Sequence, residues 1–101
     1  MKKPMDFAAF TASLSRRTPP AVLSLALCAL WWDAKGAWDK AHDCAQKQDD
    51  AAGAWVHAYL HRKEGDAANA GHWYRRAGKR VSTATLTAEW EAITRALLGE
   101  A

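Results

Sequence analysis

Two histidines one helical turn apart, His57 and His61, with Glu64 three residues further on, are the side chains of this sequence best suited to chemistry. On an α-helix such positions share one face, so the three groups project together. Two imidazoles at that spacing, joined by a third donor from elsewhere, are a common means of holding zinc with one coordination position left open. The segment reads His-Ala-Tyr-Leu-His and lacks the glutamate that follows the first histidine of the helical zinc-protease motif, so the pattern places no general base and names no catalytic residue. The competing reading is structural. A buried neutral imidazole whose ring nitrogens lack partners costs about 1–3 kcal/mol, and His42, Asp43, His72, Glu64 and Asn69 are the groups able to supply them.

Other chemistries are poorly represented. Cys28 and Cys44 do not form a metal-binding spacing and read as small core residues. There is no glycine-rich phosphate loop and no Gly-x-Ser-x-Gly elbow. The formal charge of +3 is mild, and most of the local excess lies in Arg62, Lys63, Arg75, Arg76, Lys79 and Arg80. The stretch from His72 to Arg80 mixes aromatics with cations, as single-strand binders do, but arginines at a helix C-terminus also suit its negative pole. Nucleic acid is therefore not the expected partner. Arg16-Arg17 followed by the apolar run 21–32 resembles a leader, yet Pro19-Pro20 separates the two and the run passes directly into Asp33 and Lys35. The run also falls short of the roughly 20 residues that cross a bilayer. No membrane association is expected, and the reading is a cytoplasmic protein.

The elements that must position the histidines follow from turn and cap signals. A length of 101 residues, half of them hydrophobic and a quarter charged, suits one soluble domain. Asp6 can cap a short helix carrying Phe7, Phe10 and Leu14. Thr18-Pro19-Pro20 breaks the chain. A mostly apolar helix is predicted over 21–34, closed by Gly36, and a second from Trp38 to about Gln46. Asp49-Asp50 opens a third helix over 51–64, which Gly65 ends, and Asp66 caps a fourth that runs to Ala77 and stops at Gly78. After the linker 81–85, Thr85 or Thr87 starts a last helix bearing Trp90, Ile93, Leu97 and Leu98. Nothing has the alternation of a strand.

The pattern repeats. Superposing Gly36 on Gly65, an offset of 29 residues, also superposes Ala41 on Ala70, Ala29 on Ala58, Cys28 on His57 and Trp32 on His61. Each unit is a helix, a glycine-containing turn and a helix, and neither can bury its apolar face alone, so the two hairpins are expected to stack. The small and aromatic positions Ala54-Trp55, Ala58, Gly65-Asp66, Ala70, Trp73-Tyr74 and Ala77 resemble tetratricopeptide and Sel1-like repeats. Two departures stand out: the first unit has Ala45 where the repeat usually has an aromatic, and the period is shorter than the family's, so the loop between hairpins must be short. Trp55, His57, His61, Arg62, Glu64, Asp66, Asn69, Ala70, Trp73 and Tyr74 also resemble a family of small bacterial and fungal proteins of uncharacterised activity. These resemblances imply an all-α fold: a short N-terminal helix, hairpins over 18–48 and 49–80, and a C-terminal capping helix over 85–99.

Two functions follow. The favoured one is an interaction module that offers a groove between hairpins to a protein, a peptide, a small ligand or a second copy of itself, with His57, His61, Arg62 and Glu64 near that groove and no cofactor required. The alternative is a small hydrolytic enzyme dependent on zinc or a similar divalent metal. There His57 and His61 bind the ion with one of Glu64, His42 or His72, a metal-bound water is the nucleophile, and Arg62 holds an anionic substrate.

Overall fold

Among the described residues, six α-helices are laid down by local signals that sit largely where the sequence puts them. A computed structural model describes residues 5–100; among these there is no strand. The helices are α1 (Phe7–Ala12), α2 (Leu25–Ala34), α3 (Trp38–Lys47), α4 (Ala51–Lys63), α5 (Ala67–Ala77) and α6 (Leu86–Leu97), with a 3-10 turn at Ser13–Ser15 after α1. Asp6, Asp50, Asp66 and Thr85 each accept a hydrogen bond from a backbone N–H in the first turn they open. The first long helix differs from the prediction. It begins at Leu25, because Ser24 caps it by accepting from the Leu27 N–H, while residues 21–24 form a turn in which the Leu23 N–H reaches the Pro20 carbonyl. The apolar run suggested a helix there, but a side-chain cap overrides apolar periodicity.

The 29-residue repeat is visible in the backbone. At the end of α2, Gly36 N–H donates to Asp33 and Ala37 N–H to Trp32; at the end of α4, Gly65 N–H donates to Arg62 and Asp66 N–H to His61. Both glycines have positive φ, +80° and +89°, which is the conformation these helix ends need. The hairpins α2–α3 and α4–α5 are joined by only three residues, 48–50. That close passage depends on Gly53: a Cβ there would stand 1.9 Å from the Gln48 carbonyl oxygen.

Helix α4 lies at the centre. It packs against α2, α3, α5 and α6, and eight of its thirteen residues are buried, against two of ten in α3. Val56, Tyr59 and Leu60 join Phe10, Leu27, Leu30, Trp31 and Ile93 in the main core. Ala58, Ala70 and Tyr74 form a smaller cluster between α4 and α5. Helix α6 does not continue the stack of hairpins. It folds back across both α2 and α4, where the Trp90 indole donates to the Leu30 carbonyl at 2.9 Å. The face shared by the first helices of the two hairpins is therefore covered by the chain itself. No helix among the described residues is long and apolar enough to cross a membrane.

Candidate metal centre

The buried face of α4 toward α3 and α5 carries His57 and His61, only 5% and 7% exposed. In the first hairpin the equivalent positions hold Cys28 and Trp32, both half-buried. Helix α4 packs against α3 on one side and α5 on the other, and so its imidazoles are enclosed.

Helix α3 brings a third ring. Trp38 opens α3 and donates its indole N–H to the Leu60 carbonyl of α4 at 3.1 Å, pinning the two helices together. One turn later His42 stacks on that indole, with centroids 4.9 Å apart. The His42 Nε2 lies 2.9 Å from the His57 Nε2. The His42 ring is 5.2 Å from that of His61, and the rings of His57 and His61 are stacked at 4.8 Å. One ring nitrogen from each of His42, His57 and His61 can be chosen so that all three lie within 4.8 Å of one another. Trp73, from α5, stacks on His57 at 4.0 Å and closes the other side.

The surroundings favour the neutral form of His42 and His57. Burial, followed by the neighbouring His42, His61 and His72, pulls His57 down to about 4. Burial and His61 likewise lower His42. Neutral imidazoles carry the lone pairs that a metal needs, and a protonated cluster would carry none. The His61 Nδ1 donates to Glu64 Oε1 at 2.6 Å, the tautomer in which Nε2 is free to ligate. A carboxylate holding the far nitrogen of a ligating imidazole fixes its tautomer and raises its basicity. Two nitrogens bound to one tetrahedral zinc stand about 3.3 Å apart. The His42–His57 pair would need to open by only a few tenths of an ångström.

Of the residues singled out in the sequence, His57, His61 and Glu64 do come together, and His42 joins them as the third imidazole. Glu64 and Asp66 form an outward-facing donor set with His61, but both are exposed, and Asp66 already caps α5. Glu64 is thus better placed to orient His61 than to replace a nitrogen of the inner set. Arg62 is not part of this group. It points to α6, where it pairs with Glu89 at 2.8 Å and donates to the Ala84 carbonyl. His72 is exposed and touches only the edge of the set, against Trp73 at 5.3 Å. Asp43 pairs with Lys47. The indoles of Trp38 and Trp73 are the site residues the sequence reading did not assign. The signal for Trp38 was its spacing, one turn before His42. Beside the cluster a small pocket of about 190 Å³ is bounded by His57, Trp73, Gln48, Asp50 and Arg76.

No family model matches the chain, and neither curated proteins nor solved structures yield a match.

Proposed function

We propose that this protein binds one divalent transition-metal ion through His42, His57 and His61, with Glu64 positioning His61. The observation that carries this reading is the convergence of three imidazoles, two of them buried, with no carboxylate between them. A cluster serving only stability would be expected to end each N–H on an acceptor outside itself; here two rings share their single close contact. Three nitrogen ligands without a thiolate suit zinc, and also cobalt, nickel or copper. They leave a fourth position for water or a small ligand, which is the arrangement of hydrolytic zinc centres. Glu64 is committed to His61, while Asp66 and Asp50 serve as helix caps, so metal binding is the function proposed and hydrolysis an extension of it.

The test is elemental analysis of protein purified without a histidine tag, combined with titration of chelator-treated protein with Co²⁺ and Zn²⁺. The expected result is one ion per chain, with the intense visible absorption of four-coordinate cobalt and quenching of the flanking tryptophans. Protein that arrives metal-free and takes up neither ion at micromolar concentration would defeat the proposal.

A peptide-binding groove between tetratricopeptide-like hairpins is the second reading. The equivalent turns at Gly36 and Gly65 favour it. The return of α6 over α2 and α4 weighs against it, because α6 occupies part of the groove those helices would line.

A further inference from the structure

On the other side of α4, facing away from the histidines, α1 and α6 do not quite meet over α2 and α4. The gap is an open cleft of about 520 Å³, within the range of roughly 300–1,000 Å³ typical of small-molecule sites. Its walls include Leu14, Leu86 and Trp90, and its floor is polar. Asp33 sits there with its side chain 3% exposed, pairing through Oδ1 with the Lys63 ammonium at 2.8 Å and accepting through Oδ2 from the Tyr59 hydroxyl at 2.7 Å.

We propose that this cleft binds a small amphipathic monocarboxylate, with its apolar body against Leu14, Leu86 and Trp90 and its carboxylate on the Lys63 ammonium.

The charge arrangement selects the sign of the ligand. Asp33 is the acidic group of the cleft, and it is sealed beneath its two partners. Lys63 is 39% exposed, has three N–H donors and uses one of them on Asp33, so it is the charge a ligand meets. A second ammonium, Lys35, is held at the edge by the carbonyls of Leu14 and Arg16 at 2.6 and 3.1 Å. Burial and Asp33 raise Tyr59 far above the usual phenol range, so its hydroxyl stays a donor to Asp33. Asp33 thereby holds Lys63 in place while leaving its remaining donors directed elsewhere. Tyr59 and Lys63 are one turn apart on α4, as Leu86 and Trp90 are on α6, so two rigid helices set the spacing between head and tail contacts. The site shares no residue with the proposed metal centre and does not depend on it.

The experiment uses three ten-carbon probes that differ only in their head: decanoate, decanol and decylamine, each below its aggregation limit. Binding is read by intrinsic tryptophan fluorescence, calorimetry and the shift of the melting transition on the full chain. Decanoate should bind saturably at one site per chain, at least tenfold tighter than decanol, with decylamine weaker still. Lys63→Met should cost decanoate tenfold or more while leaving decanol unchanged. Because that variant strips Asp33 of its partner, Thr87→Glu serves as the second test. It places a negative charge on an exposed position of the cleft wall, leaves the Asp33 pair intact, and should also cost decanoate at least tenfold. Val22→Ser, on an exposed apolar position away from the cleft, should change nothing. Absence of saturable binding would overturn the proposal. So would decanol matching decanoate, binding indifferent to Thr87→Glu, or binding lost in Val22→Ser.

Discussion

Helix α4 has two polar faces, and they resolve burial in opposite ways. Toward α2 and α6, each buried carboxylate is met by a cation and a tyrosine hydroxyl: Asp33 by Lys63 and Tyr59, Glu89 by Arg62 and Tyr74. Toward α3 and α5, His57 and His61 meet His42 and two indoles, and the one carboxylate in reach, Glu64, touches only the outer nitrogen of His61. The first face is closed, with carboxylates matched by donors, and removing one member leaves an uncompensated group in the interior. The second face pairs imidazole with imidazole, His42 with His57, and places no carboxylate among the three rings. Matched opposite charges on the first face stabilise the fold and leave only the spare N–H donors of Lys63 for a ligand, whereas imidazoles that meet one another offer lone pairs suited to a metal.

The contrast is broken most directly by Glu89→Ala, which strands the Tyr74 hydroxyl and the partly buried Arg62 together. Loss of one partner of a buried pair costs about 3–5 kcal/mol, so the melting transition should fall by well over ten degrees, with metal affinity unchanged in whatever remains folded. A fall of only a degree or two would mean that this face is not closed in the sense described.

Acid should act on the histidine face. The folded-state value of His57, held at about 4, lies below its ordinary value of about 6.5. Between the two values the unfolded chain binds more protons than the folded one. Stability of the metal-free protein is therefore full above about pH 6.5 and is lost as pH drops through 4, by no more than about 3 kcal/mol. Urea unfolding of chelator-treated protein across this range measures the slope. His57→Leu should flatten it, and an equal slope in the variant would show that the proton uptake lies elsewhere.

His57→Gln sharpens the distinction from the other side. It removes a ligand, so zinc affinity should fall at least a hundredfold, while stability changes by only about 1 kcal/mol because a polar partner for His42 is retained. Competition with a coloured chelator reads the first quantity and thermal melting the second. The smallest effect belongs to Glu64→Gln. It keeps a hydrogen-bond acceptor for the His61 Nδ1 but removes the charge, and zinc affinity should weaken about tenfold, the low end of what such supporting groups contribute. A loss as large as that of His57→Gln would instead make Glu64 a ligand, as the residue spacing alone had suggested.

Much of the helix layout was legible because it rests on contacts within a few residues. Asp50, Asp66 and Thr85 each bond an N–H three positions on, and Gly36, Gly65 and Gly78 each adopt the left-handed turn that a helix end requires. The start of α2 was misread for the same kind of reason: residues 21–24 are as apolar as the helix that follows, and Ser24 offers no periodicity to mark it as the cap. The pairing of His57, His61 and Glu64 was likewise carried by spacing along a single helix.

Everything that depended on how α3, α5 and α6 lie against α4 required the tertiary structure. His42 was one of three candidates for the third ligand, with Glu64 and His72, until the Trp38 indole, bonded to the Leu60 carbonyl, fixed the register of α3 on α4. Arg62 shares a helix turn with His61, and its sequence neighbours do not indicate that α6 folds back and brings Glu89 to it. Sequence by itself determined which side chains leave each helix on a common face, because helical geometry is local. Which face meets which neighbour was decided by the burial of Trp31, Leu60, Tyr74 and Ile93, whose apolar surface comes from four different helices and is removed from water only when all of them pack at once.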